Sequence, residues 1–247
     1  MIKLERSFHP TCLNPTETAR LTEIFKEKHT SVWNFNDLKS ALLKTSFGKC
    51  AYCECDLTKE SKYMEVEHFR DKDTYPDDVM NWQNLLPACK RCNGKKSGHN
   101  VMKAPIINPY ETDPRDHLQF RLYRLRAKTD IGLETIDTVD LNNSGRTVMV
   151  RFEIGEQLHE TLLKARERLD SYKSKLSTKT KNLLVGTIKS ILKECQCFSE
   201  YAATTATILH SDAEYAYLKN ELFLLGFWDQ ELLDLDEASI SLKLEIG

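Results

Sequence analysis

The sequence predicts an α+β protein, and three observations predict it. Two CxxC pairs, Cys50-Ala-Tyr-Cys53 and Cys89-Lys-Arg-Cys92, mark a small module held by a metal. Between them, Tyr63 to Phe69 alternates as a strand does. From about Gly145 onward, apolar residues recur at helical spacing, which embeds the small module in a mostly α-helical protein.

The elements follow in order along the chain. Pro15 to Lys28 reads as a helix that Thr16 can cap, with Leu21, Ile24 and Phe25 on one face. Phe35 to Lys44 reads as a second, with Leu38, Leu42 and Leu43 turned inward. Gly48 punctuates the chain before the first cysteine pair. Asp71 to Trp82 is polar and contains Pro76, so it is expected to be a loop. A helix is expected from about Asn93, although Gly94 and Gly98 weaken it. Pro105, Pro109 and Pro114 forbid regular structure around Ile106 to Asp113.

Phe120 to Val139 reads as a small β-element around a turn at Asp130 to Gly132. Three helix faces follow: Leu158, Leu162, Ala165, Leu169 and Tyr172; then Leu184, Ile188, Ile191 and Cys195; then Tyr215, Leu218, Leu222 and Leu225. Lys173 to Lys181 is the expected linker between the first two. The chain thus divides into an N-terminal helical segment (1–45), a metal-holding module (46–110), a β or irregular connector (111–144) and a helical C-terminal domain (145–247).

The 247 residues suffice to bury a core without help from metal or disulfides. Apolar residues make up 40% and charged residues 29%, the balance of a soluble globular protein. No run of about 18 apolar residues predicts a membrane span. The opening MIKLERSFHP has no apolar signal core, so the eight cysteines are expected in a reducing, cytoplasmic setting, as metal ligands or free thiols.

The net charge of −2 hides a strong asymmetry. Leu86 to Ala104 holds five basic residues and no acid. Residues 161–193 hold nine basic and two acidic, and 194–247 hold two basic and eleven acidic. The basic segment suits a polyanion track or a docking face; solvated helix surfaces explain the same blocks more plainly.

Paired CxxC turns deliver four thiolates in the tetrahedral arrangement that structural zinc prefers, so Cys50, Cys53, Cys89 and Cys92 are assigned to one zinc. The alternatives are buried thiols, or Cys55 in place of one ligand. Cys12, Cys195 and Cys197 sit in no comparable arrangement. The 35 residues between Cys53 and Cys89 carry Val66-Glu67-His68-Phe69.

A neutral imidazole suits deprotonation of a water, and a carboxylate with an amide oxygen suits a hard cation such as Mg²⁺ or Mn²⁺. Together they suit hydrolysis of a phosphodiester. Neighbours on a strand point to opposite faces, so His68 is expected at the scissile phosphate and Glu67 beside the metal. Asn93 is expected to offer its amide oxygen to the same ion. Lys90, Arg91, Lys95 and Lys96 are candidates for gripping phosphates, contacts that fix register without reading bases.

CAYC, VEHF and NLLPACKRCNGKK in this order resemble the HNH endonucleases of the ββα-metal type. The resemblance covers roughly Lys49 to Gly98. It implies that His68 is the general base, that Glu67 and Asn93 are metal ligands, and that Asn84 braces the loop orienting the base. A narrower resemblance adds EHFRDK, WQNLLPACKRCN, Ile107 to Pro109 and Asp140 to Asn142. These look like the HNH subunit of Septu anti-phage systems, the PtuB family, with relatives beside some retrons. That resemblance implies DNA as substrate and a hetero-oligomer with a PtuA-like ATPase of the SMC/ABC type.

Two positions depart from the pattern: many HNH enzymes have Asp where Glu67 stands, and the Septu-like group often has Pro where Asp71 stands. A catalytically silent zinc-knuckle module and a free-standing restriction-type nuclease are the alternative readings. His99 is the rival histidine. Asn108, Asp113 and Asp116 read as caps of a Pro-rich turn.

Overall fold

The computed structural model describes residues 1–59 and 63–247. The chain forms two compact units, one of Met1–Leu118 with Leu125–Asn142, the other of Gln119–Arg124 with Asn143–Gly247. The first unit thus joins segments that the sequence divides at residues 45 and 110.

In the first unit, α1 spans Pro15–Lys28. Asn14, not Thr16, caps it: with Pro15 at its first position, the Asn14 side chain accepts the Glu17 N–H at 3.0 Å. Helix α2 spans Asn36–Thr45. Strand β1 (Met64–His68) pairs antiparallel with β2 (Leu85–Cys89), Glu67 opposite Leu86 and His68 opposite Leu85. Helix α3 (Lys90–Lys96) follows β2 without a break, completing a ββα arrangement.

Leu21 and Phe25 from α1, Leu38 and Leu42 from α2, and Val66, Val79, Met80 and Leu85 form the core beneath the hairpin. Arg6 lies between the Trp82 and Tyr110 rings, 4.6 and 4.0 Å from their centroids, and donates to the Leu85 carbonyl at 2.6 Å.

Two expectations need correction here. Helix α3 begins at Lys90 rather than near Asn93, because the Cys89 side chain caps it by accepting the Cys92 N–H. The stretch Asp130–Thr138 is a helix, α4, not a turn between strands. Thr129 caps it through Gly132 N–H, and Gly132 lets the helix approach His117: a Cβ there would lie 2.2 Å from the His117 carbonyl oxygen. The β-structure between residues 118 and 127 is limited to β3 (Leu118–Arg121) and β4 (Arg124–Ala127).

The second unit is built on α5 (Met149–Ser174), α6 (Thr178–Glu194), α7 (Ala202–Ser211), α8 (Ala213–Leu224) and α9 (Gln230–Ile240). The break between α5 and α6 is only residues 175–177, so most of the expected linker is helical. The three apolar faces read from sequence meet in one core containing Leu158, Leu162, Leu184, Ile188, Tyr215 and Leu218. The short β5 (Glu245–Ile246) pairs with Gln119 and Phe120.

The opposite charge blocks partly neutralise each other within this unit. Lys173 pairs with Glu221 at 2.5 Å, Arg166 with Glu214 at 3.3 Å, and Lys189 with Glu231. Among the described residues no helix is long and apolar enough to cross a membrane.

Candidate metal and nuclease site

The first unit brings the four predicted thiols together. The Sγ atoms of Cys50, Cys53, Cys89 and Cys92 all lie within 4.8 Å of one another. Cys53 and Cys89 are 3.8 Å apart. A tetrahedron with Zn–S bonds of about 2.3 Å has an S–S edge of about 3.8 Å, so the donor set and its spacing fit zinc.

Local backbone shapes this cage. Gly48 adopts a φ of +75°, and a Cβ there would meet the Thr58 methyl at 2.9 Å. Ala51 N–H bonds the Pro87 carbonyl at 2.9 Å, tying the first cysteine turn to β2. Cys55 is buried beside the cage, outside the group of four. Hydrogen bonds from Cys50 and the other cysteines draw the Cys89 thiol below its ordinary range, the form a metal takes, whereas the same neighbours hold the Cys55 thiol up.

A cleft of about 610 Å³ lies over β1, with Trp33, Lys39, Glu65, Glu67, His68 and Asn93 in its lining. The alternation of β1 separates the two neighbours as predicted. His68 lines the Trp33 side of the cleft, where its ring meets Trp33 edge-on at 4.5 Å and its Nε2 lies 3.0 Å from the Val79 carbonyl oxygen. A carbonyl only accepts, so Nε2 carries the proton and Nδ1 of the neutral ring keeps its lone pair. Burial pushes His68 down to about 4; the Val79 carbonyl opposes this, and Lys72 and Lys96 reinforce it. The imidazole is therefore unprotonated at neutral pH.

Glu65 and Glu67 share the other face of β1 and meet α3. Asn93 and Lys96, three residues apart, lie on the same side of that helix. Asn93 Nδ2 donates to Glu65 Oε2 at 2.7 Å. Lys96 Nζ lies 2.6 Å from Glu67 Oε1 and donates to the His68 carbonyl at 2.8 Å. The Glu67 contact is a buried ion pair, so the Lys96 ammonium already compensates Oε1. Burial pushes the Glu67 carboxyl up to about 7, against the pull of Lys96. A carboxylate and an asparagine amide are oxygen donors of the kind a hard divalent cation takes, and both line the cleft.

Asn84 stands outside the cleft lining and holds the loop that carries Val79. Its Oδ1 accepts Arg70 N–H at 2.6 Å, and its Nδ2 donates to the carbonyls of Arg70 at 3.0 Å and Asp78 at 3.1 Å. Asp71 lines the cleft and caps its own turn, accepting from Thr74 N–H and Oγ1 at 2.9 Å.

The basic cluster is corrected in two places. Lys96 is 2% exposed and engaged with Glu67 and His68, so it cannot grip a phosphate. Arg91 pairs with Asp140 at 2.9 Å and also donates to its carbonyl. Lys90 and Lys95 remain exposed, Lys95 with its ammonium 3.6 Å from Asp140. His99 is a structural residue, bonded to the Ala104 carbonyl at 2.7 Å. Asn108 and Asp113 cap turns, accepting Tyr110 and Arg115 N–H groups.

Three contributors escaped the sequence reading: Glu65, Trp33 and the Val79 carbonyl. Glu65 had a signal, two residues before Glu67 and so on its face of the strand. The other two had none, since neither stands in the motif.

Comparison with known proteins gives the family of the chain. A family profile described as HNH endonuclease matches residues 50–98. The chain is 42% identical to "Septu protein PtuB" of Bacillus thuringiensis, over 97% of this chain and 95% of that protein. It is 32% identical to a protein of the same name from Bacillus mycoides (strain KBAB4), over 49% of this chain and 55% of that protein. No solved structure gives a significant match.

Proposed function

The chain belongs to the Septu PtuB family and carries an HNH endonuclease domain, and from that premise we propose that it is a metal-dependent nuclease that hydrolyses DNA phosphodiester bonds in anti-phage defence. The observation that carries the mechanism is His68: a buried, neutral imidazole facing the cleft, with one nitrogen fixed on Val79 and the other without a hydrogen bond among the described residues. As general base, Nδ1 takes the proton of the attacking water, and the Val79 carbonyl stabilises the imidazolium that forms. Trp33 limits rotation of the ring, and Asn84 holds the loop that supplies the carbonyl.

Glu67 and Asn93 would hold one Mg²⁺ or Mn²⁺. Bound there, such an ion supplies charge relief on the non-bridging and leaving oxygens. Zinc would be held apart from this by Cys50, Cys53, Cys89 and Cys92, as a structural ion. Lys90 and Lys95, exposed on α3, are assigned to backbone phosphates. The partner assigned from the family resemblance is a PtuA-like ATPase, in a cytoplasmic hetero-oligomer.

Plasmid cleavage tests the proposal, with zinc-loaded protein, Mg²⁺ or Mn²⁺, and wild type beside His68→Ala, each alone and with the ATPase. Loss of about 10²–10⁴-fold in the variant is expected, the range for removing a general base. Equal cutting by both proteins would remove His68 from that role. No cutting of DNA under any condition would favour a silent binding module.

A further inference from the structure

We propose that Glu65 is a positioning residue that fixes which end of the Asn93 amide faces the cleft, and thereby sets the affinity of the divalent-metal site. The inference rests on the reading of Asn93 as a ligand of that ion. An asparagine side chain presents an acceptor at one end and two donors at the other, in nearly identical shape. Only the oxygen end can bind a cation. A carboxylate accepts and does not donate, so the contact of 2.7 Å between Asn93 Nδ2 and Glu65 Oε2 assigns the amino end to Glu65. Asn93 Oδ1 is thereby turned away from Glu65, and among the described residues it takes no hydrogen bond.

The placement is built into the elements. Residues two apart on β1 share a face, which puts Glu65 beside Glu67. Residues three apart on α3 share a side, which puts Asn93 beside Lys96. The result is two parallel rungs between strand and helix, Glu65–Asn93 and Glu67–Lys96. Each rung ends in one residue assigned to the metal. Glu65 is half-buried, so its hydrogen bond to the amide competes with only part of the solvent. Without it, the amide turns freely, and orientations with the amino end toward the ion weaken binding.

A double-mutant cycle on Mn²⁺ binding tests this, using the full zinc-loaded chain without nucleic acid and reading affinity by electron paramagnetic resonance. Glu65→Ala is expected to weaken Mn²⁺ binding about 10-fold, the usual size for losing a partner that orients a ligand. Glu65→Gln keeps an acceptor oxygen for Nδ2 and is expected to recover most of that loss. In an Asn93→Ala background, Glu65→Ala is expected to change affinity by less than about 2-fold, since the group through which it acts is gone.

An undiminished effect in that background would make Glu65 a direct ligand or a simple charge, and would overturn the inference. So would a Gln variant as weak as the Ala variant, or no loss in Glu65→Ala. If Asn93→Ala itself leaves Mn²⁺ affinity unchanged, the assignment of Asn93 as a ligand fails first, an outcome separate from the others.

Discussion

Replacing Lys96 by Met keeps the straight aliphatic stem and removes only the ammonium. In the wild type that group lies 2.6 Å from Glu67 Oε1, with the two side chains 0% and 2% exposed, and it donates to the His68 carbonyl. Removing one partner of a buried ion pair costs about 3–5 kcal/mol, because the surviving charge has no water around it. The cost shrinks wherever Glu67 is protonated. Burial holds that carboxyl at about 7 even with Lys96 beside it, so it is largely ionised at pH 8 and neutral at pH 5.

Without Lys96 the carboxyl can keep its proton, which limits the extra loss between pH 5 and pH 8 to about 1.4 kcal/mol, so Lys96→Met is expected to lose about 2.5–3.5 kcal/mol at pH 8. At pH 5 the loss is about 1–2 kcal/mol, mainly the hydrogen bond to His68. At roughly 2–4 °C per kcal/mol, the deficit in Tm is about 5–14 °C at the higher pH and a few degrees at the lower. Mn²⁺ at pH 8 closes part of the gap, because binding to the folded protein stabilises it and restores a positive charge at Glu67. Thermal melting of zinc-loaded protein at both pH values, with and without Mn²⁺, measures all of this. Equal deficits at the two pH values and no response to Mn²⁺ would refute the electrostatic account. An unchanged melting curve with weakened DNA binding would restore Lys96 as a phosphate contact.

Other consequences follow from the same site. Without divalent ions, Glu67 and His68 impose opposite pH slopes. The folded Glu67, at about 7 against an ordinary 4.5, keeps a proton that the unfolded chain releases, so its contribution is full below about 4.5 and lost as pH rises through 7. The folded His68, at about 4 against 6.5, contributes fully above 6.5 and loses this as pH falls through 4. Between pH 4.5 and 6.5, relative to wild type, Glu67→Gln should gain stability with rising pH and His68→Gln should lose it, each by about 1.4 kcal/mol per unit at most; parallel melting curves would count against both assignments. Asn84→Ala removes three hydrogen bonds and should cost about 2–3 kcal/mol at roughly 1 kcal/mol each, with cleavage falling more than DNA binding. Cys92→Ser should abolish stoichiometric zinc, read by elemental analysis, and lower the melting temperature of the unit that holds it; full zinc in that variant would remove Cys92 from the ligand set.

The chemistry of this chain was more legible than its contacts. Paired CxxC turns and a strand of alternating residues are local signals, and the cage of four thiols and the opposite faces of Glu67 and His68 followed from them. The three C-terminal helix faces were legible for the same reason, since 3.6-residue periodicity is written within each helix. Helix α4 was misread because what makes it a helix, the Thr129 cap and the approach of Gly132 to His117, is a matter of capping and packing rather than periodicity. Trp33 was invisible as a contact of His68, since they are 35 residues apart and no motif links them.

Lysines 95 and 96 show where the reading runs out. They are adjacent, identical in type, and equally basic to any count of charge. Successive residues on an α-helix are turned by about 100°, so one of them points in and the other out. Which one does is set by the rotation of α3 about its axis against β1. Starting the helix at Asn93 puts both lysines in its first turn, and charge alone assigns both to a phosphate. The helix starts at Lys90, with Cys89 as the cap, and its Asn93–Lys96 side faces Glu65 and Glu67 while Lys95 stays exposed. The rotation of α3 against β1 thus separates a surface cation from the buried partner of Glu67, and the residue that caps the helix, Cys89, is one of the four clustered thiols.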